Sequence, residues 1–334
     1  MKLILDKYET FEEYRKAVRE LSQTLLIASE DRLSLEEGIP EDLTDALRDI
    51  GLFGISIPSK YGGLGLSMEE QVRLTFEFCQ ASCVYRSRFS TTIGLTSQAV
   101  LDFATEEQKK KYLPKMARGH CTGAFALTEP EAGSDAGSLK TTAERHGNDG
   151  WIINGEKRYI TNAPQADVVL VMARTDPSST GSNGISAFLV DATLDGIRVG
   201  DPPKMLGNEG SHACYVWFEN CEVPADSIVG GQEGRGLKAA LRGINHARLH
   251  VAATCVGQAI RLITEMTKYA SKREQFGKRI GEFGQIAAML ADSRAEMAAG
   301  RALCLDCAKQ FDAGDQIPFI DIASAKLFLS LIHI

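Results

Sequence analysis

The chain has no excess of positive charge, no apolar run long enough to span a bilayer and no cluster of histidines. Its 37 basic residues stand against 44 acidic ones, a net charge of −7, which disfavours a surface for nucleic acid because phosphates would be repelled. Without a spanning stretch, and with no signal-peptide core at its start, the chain is expected in the cytoplasm. Eight cysteines form no disulfide framework. Only Cys304 and Cys307 stand as a C-x-x-C, in a helical pattern and with no second pair. They, like Cys79 and Cys83 four apart on another helix, read as small buried hydrophobes. The six histidines are scattered, so no metal site is expected. The basic run Lys109-Lys110-Lys111 reads as a solvated helix face.

What is present is an ordinary globular composition, 44% hydrophobic and 24% charged over 334 residues, enough for two or three domains. The period of the apolar residues changes twice, giving an α+β fold. An N-terminal α-helical domain covers 1–121, a central antiparallel β-barrel or sandwich 122–232, and a C-terminal helical bundle 233–334. In the first, Thr10 and Glu13 form a capping-box pattern ahead of Phe11, Tyr14, Val18, Leu21 and Leu25, which share a helix face. Leu43, Leu47 and Ile50 repeat that spacing and Gly51 stops it. Ser67 with Glu70, and Thr105 with Gln108, start two more helices. Tyr61 to Gly65 is a turn. In the second zone, Trp151-Ile152-Ile153, Asn154-Gly155 and Glu156 to Thr161 predict a β-hairpin. Val168–Met172, Ile185–Val190 and Tyr215–Phe218 are further strands, and Asp176 to Gly184 is a loop. Long helices then run from Gly236 to about Ser271 and from Glu282 to Ala313, and a third begins near Pro318.

Residues Ala126 to Ser138 hold the most chemistry. Thr128 and Ser134 bring hydroxyls, Gly133 and Gly137 a permissive backbone, and Pro130 a kink, so the segment is neither strand nor helix. Such a loop can wrap an anionic or polar ligand with N–H groups and hydroxyls. Its composition alone equally describes a surface loop.

The order of residues goes further. Ala-Leu-Thr-Glu-Pro-Glu-Ala-Gly-Ser-Asp (126–135), Tyr-Ile-Thr-Asn (159–162) and Arg-Glu-Gln-Phe-Gly-Lys (273–278), with Tyr-Gly-Gly-Leu-Gly (61–65) and residues 106–114 in support, resemble the acyl-CoA dehydrogenase family of flavoproteins. The resemblance covers residues 1–328. It implies FAD, with the segment Phe125 to Ser134 along the isoalloxazine ring, backbone groups around Leu127 and the Thr128 hydroxyl bonding its polar edge, and Ser134 reaching the phosphate region of an acyl-CoA substrate. It also implies that Tyr159, Ile160 and Thr161 lie beside the flavin, with the Thr161 hydroxyl at N5, where a donor stabilises developing charge. Arg273 would reach the FAD pyrophosphate of a neighbouring subunit and Phe276 the adenine, so a homo-oligomer, dimer or tetramer, is implied. Asn245 and Arg248 match positions that contact substrate or organise its site. Arg248 lies on a mostly apolar stretch, where a structural salt bridge is the rival reading. The implied activity is α,β-dehydrogenation of an acyl-CoA, with electrons passed to an electron-transferring flavoprotein. Acyl-CoA oxidase, flavin monooxygenase and a non-catalytic CoA-binding role stay open.

The pattern also fails in places. One family location for the base that removes the α-proton is occupied by Ala247, so the catalytic residue is unknown here and is expected as a Glu in a missing C-terminal stretch. Residues 329–334 match a translated sequencing adapter, so the third domain is expected to be truncated, with an exposed apolar patch on the bundle. Tyr159 stands where Trp is frequent. Gly284 follows Phe283 where Gln is usual, which leaves Gln285 to make that contact. Acyl-chain selectivity is expected around residues 80–100, with Phe89, Thr91, Thr92 and Leu95 as candidates.

Overall fold

Thr10 opens the first helix, α1 (Phe11–Leu21), its side chain accepting the Glu13 N–H at 3.2 Å. Tyr14 and Val18 are buried as the periodicity requires. A π-helical turn at Ser22–Leu26 then adds a residue to the ladder, which moves the buried face to Ser22 and Leu26 and turns Leu25 outward. The structure is a computed structural model and describes residues 7–36, 38–147, 150–179, 181–314 and 318–332. Further helices are α2 (Glu30–Leu35), α3 (Glu41–Asp49), α4 (Met68–Phe78), α5 (Cys83–Thr91), α6 (Ser97–Phe103) and α7 (Glu106–Ala117). Gly51 follows α3 with φ 87°. Both capping boxes form, Ser67 with Glu70 on α4 and Thr105 with Gln108 on α7.

The β zone is one curled sheet of seven strands: β1 (Gly123–Ala126), β2 (Thr142–His146), β3 (Gly150–Thr161), β4 (Val168–Arg174), β5 (Ile185–Asp191), β6 (Ile197–Val199) and β7 (Ala213–Pro224). Its order is β1-β4-β2-β3-β7-β6, with β5 also on β4. It is not wholly antiparallel, because β1 and β2 both meet β4 in parallel. Strands β4 and β5 are buried at every position but the last, so both faces of this region are covered. Leu170, Met172 and Leu189 face one core with Leu113, Leu127 and Leu139. Val169, Val171 and Phe188 face another with Trp151, Ile153 and Phe218.

The hairpin expected at Asn154-Gly155 is absent. Residues 150–161 form one continuous strand paired with β7, and the register slips between Ile153 and Gly155. A two-residue hairpin of the Asn-Gly kind needs positive φ at both central residues; Gly155 has φ 153° and Asn154 is not in that region. The pair stays in the strand opposite a bulge of β7, where Asn220 takes φ 49° and its N–H donates to the Asn154 side chain at 2.7 Å. A Cβ on Gly155 would run into the Thr141 side chain and backbone.

The helical remainder is α8 (Gly236–Ala270), the short ribbon β8 (Glu274–Gln275) and β9 (Lys278–Arg279), α9 (Gly284–Ala313) and α10 (Phe319–Ile332). By contacts the described residues divide into two units, those of 32–65 and 84–246 in one and those of 7–31, 66–83 and 247–332 in the other. The second has its own core of Val72, Phe76, Leu249, Val256, Met297 and Leu329, with Cys304 and Cys307 inside it. Burial raises the Cys307 thiol to about 11, so both cysteines serve as apolar filling. Among the described residues no helix is long and apolar enough to cross a membrane.

Replacing Gly155 by Val should lower stability by about 1–3 kcal/mol through overpacking at the bulge, read as a lower urea midpoint with an unchanged slope. A midpoint equal to that of the unaltered chain would contradict the bulge.

Candidate functional site

The loop after β1 folds around one buried carboxylate. Glu129, 6% exposed, accepts the Lys157 ammonium at 2.8 Å, the Thr141 hydroxyl at 2.6 Å, the Thr141 N–H at 3.0 Å and the Lys140 N–H at 2.6 Å. Lys157 comes from the middle of β3, is fully buried, and also donates to the Leu127 carbonyl at 3.3 Å. Both ends of the 127–141 segment are thereby tied to one strand. Burial alone would raise the Glu129 carboxyl, but the Lys157 ammonium and the Lys140 and Thr141 donors outweigh it and hold the group below the ordinary carboxylate range. Burial draws the Lys157 ammonium down to about 8 against the pull of Glu129. Sequence reading missed this pair; a Glu and a Lys at alternate, otherwise apolar positions were the available signal.

From that anchor β3 continues into a second irregularity. The register with β7 slips again between Lys157 and Ile160, and Tyr159 takes a left-handed backbone, φ 59°, which costs a non-glycine residue energy. The Arg158 N–H donates to the Thr128 carbonyl at 2.8 Å, so loop and strand are joined beside Tyr159. The Tyr159 ring is 55% exposed, with the Arg158 guanidinium 4.5 Å from it and 5.3 Å from the Tyr215 ring. Asn162, also left-handed at φ 65°, closes the motif. Its amide donates to the Ser87 carbonyl and to the Thr91 hydroxyl, both at 2.8 Å.

Seven predicted residues thus lie on β1, the loop after it and β3, all in the first unit. Phe125, Thr128 and Thr161 are half-buried and Ser134 and Tyr159 are exposed. Leu127 and Ile160 are core residues, so only their backbone is available to a ligand. Among the described residues the Thr128 and Thr161 hydroxyls have no hydrogen-bond partner in the protein. Asn245 is buried on α8 and belongs to the same unit. Beside it, burial pushes the His246 imidazole down to about 3, so the ring is neutral.

Among the residues proposed for chain selectivity, Phe89, Thr91 and Thr92 are buried. The Thr91 hydroxyl donates to the Gly123 carbonyl at 2.8 Å and the Thr92 hydroxyl accepts the Gly123 N–H at 2.9 Å, pinning β1. Only Leu95 of that set is part-exposed.

Three models of the acyl-CoA dehydrogenase family match in succession, for the N-terminal domain over residues 8–120, the middle domain over 124–221 and the C-terminal domain over 234–333. The chain belongs to the acyl-CoA dehydrogenase family. Members are FAD-dependent oxidoreductases acting on CH–CH groups. The acyl-CoA dehydrogenase of Bacillus subtilis (strain 168) is 34% identical over 330 residues, 96% of this chain and 86% of the relative. Acryloyl-CoA reductase (NADH) of Anaerotignum propionicum is 36% identical over 302 residues, 90% of this chain and 76% of the relative. The butyryl-CoA dehydrogenase structure from Megasphaera elsdenii superposes with a TM-score of 0.91 at 30% identity, covering 96% of this chain and 84% of that one. The C-terminal model reaches residue 333, across most of the stretch set apart above as adapter-derived, and gives that truncation no support. His333 and Ile334 lie outside the described residues.

Arg248, Arg273 and Phe276 belong to the second unit. Arg248 is exposed on α8. Arg273 precedes the two-residue turn Phe276-Gly277 of the β8–β9 ribbon, where both residues have positive φ, 52° and 75°. Phe276 is 94% exposed, a costly arrangement for an aromatic residue in both backbone and solvation. The second unit also exposes Leu262, Met266, Tyr269, Met289, Leu327 and Leu331.

A carboxylate depressed on folding contributes stability that is complete above its ordinary value and is lost as the pH falls through its folded value. The melting midpoint should therefore drop on acidification below the normal glutamate range, and this part of the drop should vanish in Glu129→Gln. At neutral pH Glu129→Gln should cost about 3–5 kcal/mol, because the buried Lys157 loses its carboxylate partner; adding Lys157→Met should recover part of it. Equal stability of the single and double variants would contradict the pairing.

Proposed function

We propose that the chain catalyses FAD-dependent α,β-dehydrogenation of an acyl-CoA thioester, passing electrons to an electron-transferring flavoprotein. The observation that carries the reading is the pair of hydroxyls, Thr128 and Thr161, with no protein partner among the described residues and flanking an exposed, strained Tyr159. Hydroxyls without a protein partner on a loop and strand held this tightly fit a ligand with its own acceptors and donors. When bound, FAD supplies the acceptor for the hydride that leaves Cβ.

In this reading the chain's residues orient and polarise. Thr128, with backbone groups at Leu127, holds the polar edge of the flavin, and Phe125 and Tyr159 give it apolar surface. Thr161 places a donor where negative charge develops, backed by Ile160 in the core and by Asn162. Ser134, exposed at the loop, is assigned to the phosphate end of the acyl-CoA, and Asn245 and Arg248 to the substrate side. Arg273 offers two parallel N–H donors to the pyrophosphate of FAD on a second copy, with Phe276 at its adenine, so the working form is a dimer or tetramer. Position 247 is alanine and abstracts no proton; no residue of this chain is assigned as the base.

The similarity to an acryloyl-CoA reductase favours a second reading on the same site, reduction of an enoyl-CoA. Three assays separate the readings: anaerobic dye reduction by acyl-CoA, oxygen consumption with acyl-CoA, and enoyl-CoA-dependent oxidation of NADH. The proposal expects the first to dominate. Thr161→Val should reduce it by about tenfold to a hundredfold, while Arg273→Ala should lower retained FAD. Flavin-loaded protein that no acyl-CoA reduces would overturn the dehydrogenase reading, and a dominant oxygen signal would move it to an oxidase.

A further inference from the structure

We propose that a groove in the second unit binds a ligand of the nucleoside diphosphate class. The groove encloses about 490 Å³, within the range of small-molecule sites. On α9, Arg294, Met297 and Arg301 recur at intervals of three and four and share one face. On α1, Arg15 and Arg19 do the same. Four guanidiniums therefore line a groove that holds one carboxylate, Glu77 of α4.

The two arginines of α1 are held by that carboxylate, which is nearly buried. Arg15 reaches it at 2.5 Å and Arg19 at 2.6 Å, and Glu12 takes Arg15 from the outer side at 2.7 Å. The two arginines of α9 have no acidic partner among the described residues. Arg294 contacts only the Met297 sulfur at 3.9 Å, and Arg301 lies 5.6 Å over the Phe76 ring. Two guanidiniums of α9 without a carboxylate, facing two of α1 that Glu77 and Glu12 balance one for one, leave a net charge of two for an anion to meet. The remaining walls mix the apolar Phe76, Ile260, Ile263 and Met297 with the polar Gln23, Gln80 and Thr264. A bare anion would leave that surface wet, whereas a planar heterocycle attached to a diphosphate covers it.

The test is calorimetric titration of the full chain, saturated with FAD, using ADP as the probe. One ADP should bind per chain, more weakly as salt is raised. Arg294→Gln and Arg301→Gln should each weaken it by about tenfold or more, with melting midpoints unchanged because neither side chain holds a carboxylate. The proposal is overturned if no saturable heat is seen, if either variant binds as well as the unaltered chain, or if inorganic pyrophosphate binds as tightly as ADP.

Discussion

A single buried ion pair sets the geometry on which the candidate cofactor site depends. Glu129 and Lys157 lie 2.8 Å apart with almost no exposure, and the desolvation cost of such a pair is met only when the remaining hydrogen-bonding capacity is filled. Here it is filled largely by the loop itself, through Lys140, Thr141 and the Leu127 carbonyl. A segment rich in glycine and small residues, with little apolar surface of its own, is thereby given one conformation. Specificity of shape is what this pair contributes; an apolar replacement could match its stability without aiming Thr128 at the same point as β3.

The second constraint is the irregularity of β3. A regular strand would continue the alternation of Trp151 and Ile153 through residue 161. Lys157 keeps that alternation and is buried against the loop, and the register slip after it turns Tyr159 outward in a left-handed turn and Ile160 back into the core. Asn162 fixes the far end against α5. Strain at Tyr159 is held by well-packed neighbours on both sides, the arrangement expected where a backbone has been shaped for a ligand.

Much of this was legible in the chain. The caps at Thr10, Ser67 and Thr105, the stop at Gly51 and the long C-terminal helices follow from local chemistry, and the structure has each of them. The motif residues of the loop and β3 do fall together in one unit. What was not legible depended on long-range partners. Asn154-Gly155 is a turn signal in isolation, but pairing along β3 keeps it in the strand opposite a bulge of β7. The π turn after α1 moved the buried face by a residue, which no fixed period can anticipate. That β1 engages the hydroxyls of Thr91 and Thr92 likewise depends on a distant segment. The Glu129–Lys157 pair was invisible because charged residues are read as surface unless a partner is known.

The central claim is that this ion pair shapes the loop that holds FAD. It is tested most directly by titrating FAD into cofactor-free protein, with flavin fluorescence as the readout, for the unaltered chain and for Glu129→Gln at a temperature where both remain folded by circular dichroism. The account predicts saturable quenching in the unaltered chain and a large loss of affinity in the variant. Equal affinity in the two, or no binding by the unaltered chain, would contradict it.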